Sequence, residues 1–354
     1  MLNLNKVLNF IITNNSDGIC FFSEFNRFWC TNFNSSLGFL FINKLGKSIL
    51  LVDSRYYESA KINANVDKVV LFSKKLMDHF IDIMSELEIS KMIIEKDYLS
   101  LKDYLFLKSF INEENLIVLP TMQLRIEKNS DEITYLQKAA DIVSITIEKI
   151  KEENIVGLTE IQLANKIDIY MRELGASKNS FETIVASGEN AAYPHHKPTN
   201  KTIKDGEFVI LDIGCVYKNY CSDITRTIIA GNKINVNQKL LEIYNIVLEA
   251  QELAIAGVKF NESYQKIDNI ARSIIANYGY EQYFNHSTGH GVGLEVHELP
   301  NVSKMSQDKI MTNHIFTIEP GIYVPNLGGI RIEDTIWFNG DVPIILTRLA
   351  TKKI

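Results

Sequence analysis

The chain has 354 residues, of which 46% are hydrophobic and 23% charged, as in ordinary globular proteins. Its formal net charge is −6 at pH 7 and its Lys and Arg residues are scattered, so we expect no nucleic-acid partner. No apolar run approaches the roughly 20 residues of a membrane span, so we expect no membrane partner, and the length predicts two domains.

The N-terminal part, residues 1–122, is predicted to be an α/β domain. Its first 18 residues contain a short apolar stretch without a cleavage site, which favours a helix over a signal peptide. Strand-like runs then alternate with amphipathic helical runs, a pattern typical of parallel pairing. The runs 38–43 and 48–53 are predicted to pair around a short turn. His79 is the only histidine here, and a lone helical histidine is more typical of surface or core than of a ligand.

The four cysteines give no sign of a disulfide framework. They are Cys20, Cys30, Cys215 and Cys221, and they lack both CxxC spacing and the density of a disulfide scaffold. We therefore predict reduced thiols and a cytoplasmic location, with a disulfide between Cys215 and Cys221 as the alternative.

A domain joint is predicted near Pro120, the first proline of the chain, which follows a strand-like run and precedes a polar stretch. We place the second domain at residues 127–354. Two capping boxes, each a polar residue followed three positions later by Glu or Gln, predict helix starts in it: Asn129 with Glu132, and Thr159 with Gln162.

Two adjacent histidines, His195 and His196, lie in a loop rich in Gly, Asn and Pro. Neighbouring side chains on an extended backbone point in different directions, so at most one of the two is expected to face a given site. An ordinary surface histidine is the alternative for either residue.

The stretch 206–231 is predicted to be an antiparallel hairpin that turns at its central Lys-Asn pair. With that turn, Asp212 lies opposite Thr225, and Asp223 is its diagonal neighbour on the same face. Two carboxylates that emerge together from a largely buried hairpin repel each other, and a divalent cation would reverse that penalty. Two solvated aspartates at strand ends are the alternative.

The C-terminal third holds further candidate ligands. His286, His290 and His297 lie within a dozen residues, and glycines on both sides of His290 allow its backbone to approach a metal or a substrate closely. Glu319 ends an apolar run. In the strand-like run GIRIEDT, Arg331 and Glu333 are predicted on one side and Asp334 on the other.

Five of these residues are acids or imidazoles in β-like apolar surroundings, where a charge is costly unless it is paired. They are Asp212, Asp223, His290, Glu319 and Glu333. Four carboxylates and one imidazole suit Mn²⁺, Co²⁺ or Zn²⁺ better than a metal selected by thiolates, and such a set can bridge two ions. Paired ions roughly 3.5–4 Å apart are a standard hydrolytic device.

The motifs that carry these residues resemble those of the metallopeptidase family that contains Xaa-Pro aminopeptidase, Xaa-Pro dipeptidase and methionine aminopeptidase. In order, they are PHH, LDIGCVYKNYCSDITRT, HSTGHGVGLEVHELP, IEPGIYVP and GIRIEDT. EFNRFWCTNFNSSLGFLFI and VDSRYYESA are similar to the front domain of the proline peptidases and creatinase. The resemblance implies an α/β N-terminal domain followed by an α+β catalytic domain with the pita-bread fold.

The resemblance also implies residue roles. By this resemblance, Asp223 and Glu333 bridge two divalent ions, Asp212 completes the site of one ion, and His290 with Glu319 completes the site of the other. We expect the ions to be Mn²⁺, with Co²⁺ or Zn²⁺ as the alternatives. Glu319 handles the proton of the attacking water. His195 positions the substrate or donates a proton to the leaving nitrogen, and His297 stabilises the oxyanion. His286 and Arg331 orient ligands by hydrogen bonds.

The implied function is hydrolysis of the first peptide bond of peptides with proline at the second position, by a homodimer. Xaa-Pro aminopeptidase is our first expectation and Xaa-Pro dipeptidase the alternative. Methionine aminopeptidase generally lacks a front domain, and creatinase works without these ligands. A binding protein that uses the pita-bread fold without catalysis is the alternative of a different class, and the full ligand set speaks against it.

Overall fold

Buried apolar runs in the first part of the chain form one six-stranded sheet in the computed structural model, which describes residues 3–354. The helices and strands of this part are α1 (Leu4–Thr13), β1 (Gly18–Phe21), α2 (Glu24–Thr31), β2 (Gly38–Asn43), β3 (Ser48–Val52), α3 (Tyr57–Asn63), β4 (Lys68–Leu71), α4 (Leu76–Glu86), β5 (Met92–Glu95), α5 (Leu101–Lys108) and β6 (Leu116–Leu119). They belong to a compact unit, Met1–Arg125, and the rest of the chain forms a second unit, Ile126–Ile354.

The sheet of the first unit is mixed. Its strand order is β4-β3-β2-β1-β5-β6. Pairing is parallel in β3–β4, β5–β6 and β1–β5, as the alternation predicts. The β1–β2 pair is antiparallel although α2 lies between these strands in the chain. The β2–β3 pair is antiparallel because a short turn can reverse the chain but cannot make a crossover.

Glu95, at the end of β5, is a fully buried carboxylate in this first unit. Its Oε2 accepts hydrogen bonds from the backbone N–H groups of Phe22 and Ser23, the latter at 2.8 Å, and its Oε1 accepts one from the Asn26 side chain. Buried polar groups are stable only when hydrogen-bonded, so these donors tie the start of α2 to β5.

The second unit contains four long helices and a series of short strands. The helices are α6 (Ser130–Lys151), α7 (Glu160–Glu173), α8 (Gln238–Ala256) and α9 (Tyr264–Asn277). The strands are β7 (Lys178–Asn179), β8 (Ile184–Ser187), β9 (Phe208–Ile213), β10 (Cys215–Tyr217), β11 (Tyr220–Cys221), β12 (Ile224–Ile229), β13 (Gly289–Gly291), β14 (Glu298–Val302), β15 (His314–Ile318), β16 (Gly321–Val324), β17 (Gly328–Arg331), β18 (Asp334–Phe338) and β19 (Pro343–Ile345). Both predicted capping boxes are formed, at the N-termini of α6 and α7.

Each of two helix pairs covers one set of strands. Helices α6 and α7 pack their apolar stripes against β9 and β12 in one buried cluster. Helices α8 and α9 pack against β15, β17 and β18 in another. In the second unit the sheets have the orders β12-β9-β8, β11-β10-β7, β14-β13-β15-β18-β19 and β16-β17. Because strand side chains alternate, the faces turned away from the helices are free to carry polar groups.

Candidate metal centre and active site

The hairpin of β9 to β12 forms in the predicted register. Lys218 and Asn219 make the turn with φ values of 50° and 70°, and two left-handed residues are what a tight type I′ hairpin turn requires. Asp212 pairs directly with Thr225. Asp223 lies where the ladder is interrupted between β11 and β12, so both aspartates belong to one short region of the hairpin.

Asp212 faces away from the helices because its strand alternates. Its neighbours Leu211 and Ile213 are buried in the cluster beneath α6 and α7, so the Asp212 side chain points to the opposite face. There its Oδ2 accepts a hydrogen bond of 2.6 Å from Nη2 of Arg331. Its Oδ1 is buried and has no partner.

His290 is brought to this face by the close approach of β13 to its neighbours. A Cβ at Gly289 would lie 2.0 Å from the Thr317 carbonyl oxygen, and one at Gly291 would lie 2.2 Å from that of Leu299. Only glycine fits at either position. His290 Nδ1 lies 3.1 Å from the Gly291 carbonyl oxygen, to which it can donate, and this bond leaves Nε2 free to face the acids.

Two carboxylates lie next to the His290 imidazole. Its Nε2 is 3.3 Å from Oε1 of Glu319 and 3.6 Å from Oδ2 of Asp223. Burial lowers the pKa of His290, but the hydrogen bond and charge of Glu319, the Gly291 carbonyl and the charge of Asp212 together raise it. Burial raises the pKa of Glu319, but the hydrogen bond and charge of His290, together with the charges of His286 and Arg331, lower it to about 2. The pair therefore stabilises charge on both members.

The run GIRIEDT does not form one strand. It breaks after Arg331, so β17 ends and β18 begins in a different sheet. Arg331 and Glu333 nevertheless reach the same cavity, while Asp334 turns to Arg226, with 2.7 Å between Arg226 Nη2 and Asp334 Oδ1. The predicted sides are confirmed, although the uninterrupted strand is not found.

Glu333 is almost fully buried at the centre of the site. Its Oε2 accepts a hydrogen bond of 2.8 Å from Oγ1 of Thr225, whereas its Oε1 is buried and has no partner. Ligand atoms of Asp223, His290 and Glu333 all lie within 4.8 Å of one another. Asp212 and Glu319 line the same cavity of about 450 Å³, so the structure brings together all five residues that the sequence singled out.

The electrostatics of these acids favour binding of a positive charge between them. Burial, followed by the charge of Glu333, raises the pKa of Asp223 well above its usual range. Burial, followed by the charges of Glu319 and Asp212, does the same for Glu333. Burial also raises the pKa of Asp212, despite the opposing charge of Arg331. Clustered oxygen donors, two of them buried without a partner, fit divalent cations.

Three further histidines predicted from the sequence also line this cavity: His195, His286 and His297. The rings of His290 and His297 lie 4.3 Å apart, centroid to centroid. Burial, followed by the charge of His290, lowers the pKa of His297. His195 and His297 are the more exposed of the three, as is needed for residues that contact a substrate.

A chain of hydrogen bonds through Tyr323 borders the site. Arg331 Nη1 donates to the Tyr323 hydroxyl at 2.8 Å, and that hydroxyl lies 3.0 Å from His286 Nε2. Arg331 Nε also donates to Thr225 Oγ1 at 3.1 Å. Arg331 thereby links Asp212 to Glu333 through Thr225.

The sequence reasoning assigned no role to Tyr323 or Thr225. Thr225 was identified as the partner of Asp212 across the hairpin, and this register was the available signal that it faces the acids. Tyr323 lies in the IEPGIYVP motif, but its contact with Arg331 depends on how β16 packs against β17, which spacing does not reveal.

The chain is similar to known proteins along nearly its whole length. Residues 134–339 match the model of metallopeptidase family M24, and residues 4–126 match the creatinase/prolidase N-terminal domain. A putative Xaa-Pro aminopeptidase of Mycoplasma genitalium is 39% identical over 94% of both chains. A Xaa-Pro dipeptidase of Pyrococcus horikoshii is 38% identical over 94% of this chain and 93% of its own.

Solved structures give the same result. The Xaa-Pro dipeptidase from Bacillus anthracis is similar with a TM-score of 0.93 at 36% identity, covering 99% of this chain and 98% of its own. These likenesses confirm the predicted fold class, an α/β domain followed by an α+β domain of the pita-bread type. Among residues 3–354, no helix has both the length and the apolar character to cross a membrane.

Proposed function

The chain belongs to metallopeptidase family M24, and we propose that it is an Xaa-Pro aminopeptidase, which hydrolyses the first bond of peptides that have proline at the second position. The observation that carries the proposal is the convergence of five ligand-type side chains on one cavity, with buried carboxylate oxygens left without partners. Such a set is unfavourable unless cations occupy it.

We propose that two divalent ions are held by the five residues Asp212, Asp223, His290, Glu319 and Glu333. Asp223 and Glu333 would be the ligands shared by both ions, a role that the resemblance implies and that their deeper burial than Asp212 and Glu319 supports. The mainly oxygen donor set favours Mn²⁺, with Co²⁺ or Zn²⁺ as alternatives. When bound, such ions supply Lewis-acid charge and make a nucleophile of water at neutral pH.

The side chains around the ions perform the proton transfers and the positioning. Glu319 accepts a proton from the attacking water at a carboxylate oxygen. His297 donates a hydrogen bond from its ring to the oxygen of the scissile carbonyl as negative charge develops there. His195 positions the substrate or donates a proton to the proline nitrogen, which has no N–H of its own. Each of these residues lines the cavity.

Arg331 and His286 orient the proposed ligands and do not bind the ions themselves. Arg331 fixes the orientation of Asp212 through its bond to Oδ2 and that of Glu333 through Thr225. His286 bonds to Tyr323, which in turn receives a hydrogen bond from Arg331. Groups that orient metal ligands in this way commonly affect metal affinity or activity roughly 10- to 100-fold.

Xaa-Pro dipeptidase is the second candidate, because relatives of similar identity carry both names and a structure of similar fold is called a dipeptidase. The two activities differ in whether the pocket beyond the proline is open to further residues or is closed by groups that bind the free carboxylate of the proline. The test is hydrolysis of Xaa-Pro dipeptides and of Xaa-Pro-Yaa-Zaa tetrapeptides with added Mn²⁺. We expect the tetrapeptides to be cleaved after the first residue; cleavage of dipeptides alone would overturn the aminopeptidase proposal in favour of the dipeptidase.

We also propose a homodimer, a cytoplasmic location and functional domains at 1–122 and 127–354. The dimer is supported only by resemblance, and light scattering at several protein concentrations tests it. The location is supported by four free, buried cysteines, since reduced thiols are typical of that compartment. Expression of 127–354 alone, followed by a test for cooperative unfolding, examines the domain division.

A further inference from the structure

A fully buried carboxylate at the start of α7, Glu160, is not part of the proposed chemistry. Its Oε1 accepts hydrogen bonds from the backbone N–H of Ser187 at 2.9 Å, the Ser187 hydroxyl at 2.8 Å and the Asn190 side-chain amide at 3.0 Å. Its Oε2 accepts from the Thr199 backbone N–H at 3.0 Å, the Thr199 hydroxyl at 2.7 Å and His196 Nε2 at 2.9 Å. Six donors thus surround one side chain.

These donors come from both sides of His195. Ser187 and Asn190 precede it in the chain, and His196 and Thr199 follow it. The segment between them is irregular apart from a short 3₁₀ helix at Gly188–Ala192. An irregular loop has no ladder of its own to hold it, so its shape depends on such side-chain contacts.

The same segment reaches the metal centre at a second point. The carbonyl oxygen of Pro194 accepts a hydrogen bond of 3.3 Å from Nη1 of Arg331, the residue that also binds Asp212. A shift of this segment would therefore move His195 and change one contact of Arg331.

A charged carboxylate is needed at this position because only it offers two oxygens. Glutamine would keep one acceptor and turn an amide NH₂ toward three donors. Burial raises the pKa of Glu160, but hydrogen bonds from His196, Thr199, Ser187 and Asn190 outweigh burial and lower it to about 2. The carboxylate is therefore ionised at neutral pH and accepts at both oxygens.

We infer that Glu160 is a positioning residue for the reaction: by binding donors on both sides of His195, it holds that histidine at the substrate side of the cavity. This inference rests on the proposed function only for its kinetic consequence. His196, which the sequence reasoning left out of the site, belongs to this anchor and not to the metal centre.

The kinetic test is a double-mutant cycle of Glu160→Gln and His195→Gln, assayed on an Xaa-Pro-Yaa-Zaa peptide with saturating Mn²⁺. Misplacing a catalytic group by about 1 Å can cost roughly 10²-fold, so we expect kcat/KM to fall on that order in Glu160→Gln. If Glu160 acts through His195, the double variant is no slower than His195→Gln alone, because the two losses are one loss. Multiplying losses would overturn the inference, as would an unchanged kcat/KM in Glu160→Gln.

Glu95→Gln is the matched control. Glu95 is equally buried and accepts several hydrogen bonds, but it anchors α2 of the first unit. We expect it to lower stability without coupling to His195→Gln. Coupling of similar size in this control would mean that loss of any buried carboxylate acts on His195, and it would overturn the inference.

Thr199 supplies a milder pair of variants in case Glu160→Gln does not fold. Thr199→Val removes only the hydroxyl that donates to Glu160, whereas Thr199→Ser keeps it. We expect kcat/KM to fall several-fold in Thr199→Val and to remain near that of the wild type in Thr199→Ser. Equal values for Val and Ser would contradict the anchor.

Amide hydrogen exchange separates this inference from the proposed function. In Glu160→Gln, or in Thr199→Val, exchange across 187–199 should become faster while exchange in 208–213 stays unchanged. Faster exchange supports the anchor even if the wild type cleaves no proline peptide, in which case only the proposed function fails. Unchanged exchange of 187–199 overturns the anchor whatever the activity.

Discussion

Among the buried carboxylates of the second unit, Glu160 differs from Asp223 and Glu333 in how its charge is stabilised. Glu160 is surrounded by six hydrogen-bond donors, and its pKa is lowered to about 2. Asp223 and Glu333 are about as deeply buried, but each faces other acids, and burial and repulsion raise their pKa values well above the usual range. Glu160 thus has hydrogen-bond donors at both carboxylate oxygens, and we call it the complete site. The acids around Asp223 and Glu333 lack donors for some of their oxygens, and we call them the incomplete site.

This difference distinguishes a structural acid from a candidate metal ligand. A buried carboxylate whose oxygens are all bonded has nothing left to offer a cation. Glu333 Oε1 and Asp212 Oδ1 are buried and unpartnered, and native proteins leave few such atoms unless a further group binds them. Burial alone therefore identifies neither site; the supply of donors does.

The largest effect should come from removing one charge at the incomplete site. Asp223→Asn preserves shape but removes the charge of a proposed bridging ligand, and we expect it to abolish both metal binding and turnover. The loss should exceed about 100-fold, since altering groups that merely orient ligands already costs roughly 10- to 100-fold. Mn²⁺ content after dialysis and peptide hydrolysis measure it, with Glu95→Gln as a control that keeps both. Retained activity in Asp223→Asn would remove its bridging role.

The contribution of Glu160, the complete site, to the stability of the fold should depend on pH. The folded pKa of Glu160, about 2, is below its ordinary value of 4.5, so its contribution to stability is full above about pH 4.5 and is lost as the pH falls toward 2. By linkage this contribution is on the order of 3 kcal/mol. The stability difference between wild type and Glu160→Gln, from urea unfolding, should be largest near pH 6 and smaller at pH 3. A difference that is constant with pH would contradict this assignment.

Adding a cation should stabilise the incomplete site and leave the complete one unaffected. A ligand that binds only the folded state at 100 times its Kd adds about 2.7 kcal/mol of stability. We expect Mn²⁺ to raise the melting temperature of the chelator-treated wild type and of Glu160→Gln alike, and to have no effect on Asp223→Asn. A Mn²⁺ shift that survives in Asp223→Asn would place the ion elsewhere.

We expect the smallest effect from removing the Thr225 hydroxyl, which lies between Arg331 and Glu333. Thr225→Val keeps the shape of the side chain. It removes the hydrogen bond that Thr225 donates to Glu333 and the one that it accepts from Arg331. We expect roughly a tenfold loss of kcat/KM or of Mn²⁺ affinity, the lower end for groups behind metal ligands. Thr225→Ser retains the hydroxyl and should stay near the wild type. If Val and Ser behave alike, the hydroxyl has no orienting role.

Much of the fold follows from local patterns in the sequence. The capping boxes at Asn129 and Thr159, the turn at Lys218 and Asn219, and the register that places Asp212 opposite Thr225 are all formed as predicted. Each depends on residues close in the chain, whose geometry is limited by helix caps, by left-handed turns and by side-chain alternation.

The ligand candidates were also identifiable from sequence, because an acid or a histidine within an apolar, glycine-flanked run is costly without a partner. The sequence alone could not show that Asp223, His290 and Glu333 bring ligand atoms within 4.8 Å of one another. Those residues lie on different strands far apart in the chain, and the resemblance to a family, rather than spacing, indicated that they meet.

The tertiary structure alone decided which acids are satisfied. The six donors around Glu160 come from residues 27 to 39 positions further along the chain. The strand break after Arg331 and the contact of Arg331 with Tyr323 depend on how β16 and β17 pack. Local sequence determines which way a side chain leaves its backbone, but the donors it meets come from other segments. Whether a buried carboxylate becomes an anchor or a metal ligand is therefore decided by packing.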